Sequence, residues 1–230
     1  MKRYGLFFAV AILLALGAAA CAAPSGEPIK IGYLATLTGD GSTWGQHERD
    51  GALLAVKELN EAGGVLGRPL ELVYYDVRGR QEDAIQAARR LVHEDKVVAI
   101  GGTNYSGLNI ATASVVTAAG VPQIGTASTN PAVTVDPKTG QVRPFTFRMS
   151  YTDPYQGKVM ADYLINKLGV KSAAVITDVG SDYSEGLKEF FTARFAELKG
   201  DLKGVWGFRG GDVDFRAQLT EMKATGAEAV

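Results

Sequence analysis

Strand-length apolar runs alternate with helix-length amphipathic segments along most of this chain, and that alternation is what most limits its possible folds. Residues 29–37 read as an apolar strand, and 45–61 as a helix with Leu53, Val56 and Leu59 on one side. Residues 70–77 give a second strand. Within 81–94, Ala84, Ala87, Ala88, Leu91 and Val92 fall at i, i+3, i+4, i+7 and i+8, a helical stripe. Strands at 97–100 and 122–125 then flank a helix at 106–119. Continuous apolar strands separated by helices imply a mostly parallel sheet covered on both faces, with right-handed crossovers. A Pro- and Gly-containing stretch, 130–144, interrupts the rhythm. It resumes as helix 154–168, strand 172–177, helix 184–198 (Leu187, Phe190, Phe191, Phe195 and Leu198 on one face), strand 203–208 and helix 215–224. A boundary near 149–152 is expected, giving two α/β units, 29–149 and 150–230. Residues 227–230 look like the beginning of a strand, so the chain reads as a fragment with its second unit incomplete.

The first residues are expected to lie outside the fold. Met1-Lys2-Arg3 is a basic start, 6–20 is an unbroken run of apolar and small residues, and Ala18-Ala-Ala20 leads to Cys21. This is the order of a bacterial secretory signal. The run of about 15 residues falls short of the roughly 20 needed to cross a bilayer. Residues 1–20 are therefore read as a signal peptide and 21–28 as a flexible tether. Cys21 is the only cysteine, which excludes an intrachain disulfide. Its place suggests the lipid-acceptor cysteine of a bacterial lipoprotein, although Ala18 stands where such signals usually have Leu. Plain cleavage after Ala20 or Ala23 is the alternative. The expected location is extracytoplasmic, with the membrane reached through a lipid anchor only. A net charge of −1 with interspersed signs argues against a nucleic-acid partner.

Two strand ends run into loops of small and hydroxyl residues: Val97-Val-Ala-Ile-Gly-Gly-Thr-Asn-Tyr-Ser106 and Pro122-Gln-Ile-Gly-Thr-Ala-Ser-Thr-Asn-Pro131. A buried strand ending in glycines before a helix presents backbone N–H groups at that helix's N-terminus, which suits a carboxylate or phosphate. With a helix between them, the two ends are expected on neighbouring strands, facing one ligand. Enzyme readings are weaker. Gly39-Asp-Gly41-Ser-Thr-Trp-Gly45 has the spacing GxGxxxG, not the dinucleotide GxGxxG. Tyr163 and Lys167, with Ser150 upstream, resemble the Ser–Tyr–Lys set of short-chain dehydrogenases, but the glycine order of that family is missing. His47 and His93 have no ligand-spaced neighbour, so no metal site is expected. Asp40, Asp76, Asp178 and Asp182 sit near strand ends, where acids most often cap helices or line a polar cleft. No catalytic residue and no cofactor are assigned.

An ordered set of motifs covers nearly everything from Ile29 onward: Ile29-Lys-Ile-Gly-Tyr33, Leu37-Thr-Gly39, Trp44-Gly45, and Glu58-Leu-Asn-Glu-Ala-Gly-Gly-Val-Leu-Gly-Arg-Pro69. Asp76, Gly101-Gly102, Ser106, Ala119-Gly-Val-Pro122, Ala127-Ser-Thr-Asn-Pro131, Phe147-Arg-Met-Ser150, Asp153, Gln156-Gly157, Asp178 and Tyr183-Ser-Glu-Gly186 continue it. As a set it resembles the leucine/isoleucine/valine-type solute-binding proteins of ABC transporters. That resemblance implies a two-lobed type I periplasmic-binding-protein fold whose lobes close on a ligand, and a permease partner. It implies that the Ser106 hydroxyl and amide hold a ligand carboxylate with help from Thr129, and that the Ala127 carbonyl meets an ammonium. Trp44, Asn104 and Tyr105 would form walls, Ser128 would bind the ligand from the same loop as Thr129, and Tyr183 would close from the second lobe. Structural alternatives stand beside these roles: Ser106 and Ser128 as caps, Trp44 and Tyr183 as packing aromatics, and Asn130-Pro131 as loop-shapers without contacts. The acid that receives the ammonium in the family would fall beyond Val230, with Asp178 or Asp182 as possible contributors. The polar Asn104-Tyr105 wall leaves polar or aromatic amino acids, short amides and urea-like solutes open. A ligand-sensing receptor domain on the same fold, or an exported NAD-type oxidoreductase, are the competing functions.

Overall fold

The computed structural model describes residues 24–230, so the expected signal peptide, Cys21 and the start of the tether lie outside the described residues. Strands β1 (Ile29–Ala35), β2 (Leu70–Asp76), β3 (Ala99–Gly101), β4 (Gln123–Gly125) and β5 (Thr146–Arg148) form one parallel sheet in the order β2-β1-β3-β4-β5. Helices α1 (Ser42–Glu61), α2 (Gln81–His93) and α3 (Ser106–Ala119) connect the first four. The chain steps outward from β1 to β2, then back past β1 to β3 and β4. Right-handed crossovers therefore put α1 on one face and α2 with α3 on the other.

The core lies on the α2/α3 face. Leu34, Val77 and Ile100 from the strand side meet Ala84, Ala88 and Leu91 of α2 and Leu108 and Val116 of α3. The five-residue stripe read from 81–94 is buried as expected. Acids Glu82 and Asp83 in the first turn of α2, and Arg90 and His93 in its last, complement the helix dipole. The other face differs from expectation. Leu53 and Leu59 of α1 are 39 % and 46 % exposed, and Gly45 is the buried residue of that helix. Their spacing gives an apolar stripe, but no described element lies over it.

Boundaries shift where side chains capture the backbone. β1 ends at Ala35 and not at 37, because the Asp76 carboxylate accepts from the Leu37 N–H at 2.9 Å and the Thr38 hydroxyl at 2.5 Å. The interruption at 130–144 holds a 3-10 turn (Pro131–Val133) and an antiparallel bridge between Val135 and Val142. Strand β5 follows it and was not anticipated.

A second unit contains α4 (Asp153–Asp162), which continues as a π-helical turn (Tyr163–Lys167), then β6 (Ser172–Asp178), α5 (Asp182–Glu197), β7 (Asp201–Phe208) and α6 (Arg216–Ala224). β6 and β7 are parallel, and Ala229 adds a parallel bridge to Ala173, so 227–230 does begin to pair as a strand. Ala161, Ala173, Phe191 and Phe195 are its buried centre, the two phenylalanine rings stacked 5.4 Å apart. Ser181 caps α5 by accepting from the Ser184 N–H.

Candidate functional site

The carboxyl ends of β3 and β4 are adjacent, and each is followed by one of the two loops singled out above. Gly102, at φ +84°, lets the backbone pass against the Leu34 carbonyl where any Cβ would collide. The Thr103 hydroxyl accepts from the Tyr105 N–H at 3.1 Å and sets the entry to α3. Its carbonyl accepts from the Asn109 side-chain amide (2.8 Å), the Ser128 hydroxyl (2.9 Å) and the Thr126 N–H (3.3 Å), which binds the two loops together. Ser128 is fully buried and also accepts from Asn109 at 2.5 Å. Its hydroxyl is thus engaged within the site's own loops, donating to Thr103 and accepting from Asn109.

Ser106 is the first residue of α3 and is buried. Its Oγ accepts from the Asn130 N–H at 3.3 Å, so its O–H remains a donor. No side chain caps this helix, so its first-turn N–H groups keep donor capacity. The loop after β4 is gripped from behind by Arg148 at the end of β5. That guanidinium donates to the carbonyls of Ser128 (3.3 Å), Thr129 (3.0 Å), Asn130 (2.8 Å) and Pro131 (3.2 Å), and to the Thr134 hydroxyl (2.6 Å).

Two acids support the loop. Glu48 of α1 accepts from the Thr126 hydroxyl at 2.5 Å, and burial pushes its pKa up against that bond. Asp153, the first residue of α4, is wholly buried, and its N–H donates to the Thr129 carbonyl at 3.0 Å. Burial raises its carboxyl pKa, while the Thr129 hydroxyl and Arg148 pull it down. The Tyr105 phenol, its pKa raised by burial first and by Asp40 and Glu48 after it, donates to the Asp40 carbonyl at 3.3 Å and so ties the loop after β3 to the loop between β1 and α1.

The second unit meets this loop at the start of α5. Asn130 donates through its side chain to the Asp182 carbonyl at 2.5 Å, and a Cβ at Gly186 would come within 2.6 Å of the Asn130 amide nitrogen and 2.8 Å of Asp153 Oδ2. Asn130 therefore touches both Ser106 and the second unit, contrary to the expectation that it only shapes the loop. The Tyr183 hydroxyl accepts from Gln156 at 3.0 Å.

A cavity of about 400 Å³ lies between the units and brings Tyr105, Ser106 and Tyr183 together with Asp178, Asp182, Arg80 and Gln81. Trp44, Asn104, Ala127 and Thr129 do not line it. Trp44 is 71 % exposed, which overturns its reading as a core aromatic. Arg148, Glu48 and the contact role of Asn130 went unassigned in the sequence. Asp153 stood in a motif without a role, though an acid directly before Pro154 at a helix start was a usable signal.

This is a parallel α/β unit whose strand-end loops face a second such unit across a polar cavity, the architecture of a two-lobed solute-binding protein. The model of the family described as "Periplasmic binding protein" matches residues 28–230, and the chain belongs to that family. Among curated proteins it is 35 % identical over 202 residues to the amino acid binding protein of Pseudomonas aeruginosa, covering 88 % of this chain and 52 % of that one. It is 33 % identical to the Leu/Ile/Val-binding protein homolog 3 of Brucella melitensis, over 88 % of this chain and 53 % of the relative. The crystal structure of the leucine-binding protein LivK of Thermotoga maritima superposes with a TM-score of 0.79 at 39 % identity, covering 86 % of this chain and 54 % of that one. LivJ of Streptococcus pneumoniae, solved in complex with isoleucine, gives 0.77 at 34 %, with coverage of 86 % and 54 %. The fold is therefore that of a type I periplasmic binding protein, and the chain spans about half the length of the curated relatives it matches.

Proposed function

We propose that this chain is part of an extracytoplasmic solute-binding protein, not an enzyme, that captures an amino acid or similar small carboxylate between two lobes. Delivery to an ABC permease follows from that reading. Residues 29–149 form the first lobe and 150–230 the first part of the second; 1–20 serve as the signal peptide and 21–28 as the tether, lipid-anchored at Cys21. The observation that carries the reading is the convergence of Ser106, at an uncapped helix N-terminus, with Tyr183 of the second unit on one cavity. The Ser106 O–H and the first-turn N–H groups are donors aimed at an anion. Tyr105 lines the same cavity, and Thr129, Ala127, Asn104 and Trp44 are assigned to the adjoining segments, outside its lining.

Hydrogen bonds to a charged group contribute about 1.5–3 kcal/mol each. Ser106→Ala should therefore weaken solute binding by at least tenfold, since about 1.4 kcal/mol corresponds to that factor. The solute is first found by a thermal-shift screen of amino acids and small acids, and affinities are then measured by calorimetry. Unchanged affinity in a folded Ser106→Ala variant would remove Ser106 from the site.

A further inference from the structure

We propose that the Asp182 carboxylate is an internal anion that competes with the solute's carboxylate for the donor end of helix α3. The proposal rests on the reading above in placing that solute carboxylate at Ser106. Asp182 opens α5 of the second unit, directly before Tyr183, yet its side chain reaches back to the first unit. Gly107, the second residue of α3, marks the place. A Cβ built there would lie 2.5 Å from Asp182 Oδ2 and 3.2 Å from Gln81 Nε2. A side chain of α5 and one of α2 therefore converge on the one point that a glycine leaves free. Both of these residues line the cavity together with Ser106.

Asp182 is held from its other side as well. Its backbone carbonyl accepts from the Asn130 side chain at 2.5 Å, and the Asn130 N–H donates to Ser106 Oγ at 3.3 Å. Ser106, Asn130, Asp182 and Gly107 thus close a ring across the two units. The other charges that line the cavity are engaged elsewhere. Arg80, its cation, lies 4.0 Å from Glu82 and 3.7 Å from Asp83, and Asp178 accepts from the Gly180 N–H at 2.9 Å. What remains for the Asp182 carboxylate is the positive end of α3, whose first N–H groups have neither an intrahelical acceptor nor a capping side chain. Two carboxylates at the neighbouring positions 106 and 107 would repel each other, in a cavity already lined by Glu82 and Asp178. The solute's carboxylate and that of Asp182 are therefore alternatives. Affinity for a carboxylate solute is held below what the donors alone would give.

The test begins without a solute. Hydrogen exchange by NMR follows the Gly107 and Leu108 amides in the parent chain and in Asp182→Asn, which keeps the shape and removes the charge. Exchange at these amides should quicken about two- to fivefold, the range for an exposed charge at a helix end; equal rates overturn the proposal. As an acid in the first turn of α5, Asp182 also serves that helix's own dipole. That role alone would lower the melting temperature of Asp182→Asn but would move neither the α3 amides nor an affinity. Calorimetry then titrates 4-methylpentanoate and L-leucine into both chains. Each should bind about two- to fivefold tighter to Asp182→Asn, the reverse of what the loss of a solute contact gives. Unchanged affinity overturns the proposal, and so does weaker binding of either probe, which would make Asp182 a solute contact. If neither probe binds either chain, the reading of Ser106 as the anchor for these solutes falls, and the exchange rates still decide whether Asp182 holds the helix end.

Discussion

Arg148 offers the most direct test of how the ligand loop is held. Its guanidinium spans four successive carbonyls and one hydroxyl, at 2.6–3.3 Å. Replacing it with Met keeps the stem but removes every donor. Each neutral hydrogen bond contributes about 0.5–1.5 kcal/mol and each bond to a charged group about 1.5–3, while a buried acceptor left alone costs about 1–3. The half-buried carbonyls regain some water, so the sum is discounted to about 3–4 kcal/mol, near the upper end for single substitutions. For a chain of this size, about 2–4 °C of melting temperature accompanies each kcal/mol, so Arg148→Met should melt about 6–16 °C lower. Arg148→Lys retains the charge near Asp153, but its three donors on a point ammonium cannot span the same row, so about half the loss should remain. Differential scanning calorimetry of the two variants decides the matter. A Lys variant as stable as the parent would show that charge, not the planar spread of donors, is what the loop needs, and a Met variant within 2 °C of the parent would refute the whole account.

Two further outcomes follow from the joint between the units. Because burial raises the Asp153 pKa above its unfolded value, its stabilising contribution is full below the unfolded pKa and is lost as pH rises through the folded one. Asp153→Asn should therefore gain stability relative to the parent as pH is raised from 4 to 7 in matched thermal melts; a difference that stays flat across that range removes the inferred shift. At Gly186, a methyl group would press on both Asn130 and Asp153 Oδ2. Gly186→Ala should cost about 1–3 kcal/mol in urea unfolding, and a neutral result would mean that α5 can slide away freely.

Much of the first unit was legible because its pattern is local. The α2 stripe was readable since every member is buried by the same face of the sheet, and α3 was bounded by Ser106 and the Gly120 cap. The sequence also pointed to the Ser106 loop, because strand, glycines and helix start are contiguous. What escaped it is made by distant partners. Arg148 lies 17–20 positions from the carbonyls it holds, and Asn130 lies 52 from Asp182. Nothing local distinguishes such an arginine from a solvated one. β5 was missed because Thr146-Phe147-Arg148 is three residues long with one apolar member, too short for any periodicity. Leu53 and Leu59 misled for the opposite reason: a stripe shows that a face is apolar, not what covers it.

The polarity of β4 and β5 runs opposite to the usual inward-apolar rule. Gln123 and Thr146 are buried and hydrogen-bonded on the α3 side, while their neighbours Ile124 and Phe147 pair across the strands at 40 % and 49 % exposure. With a net charge of only −1, electrostatic repulsion between molecules is slight. That strip therefore adds to the apolar surface that charge repulsion does little to keep apart, and concentrated solutions of the chain in isolation should cluster reversibly.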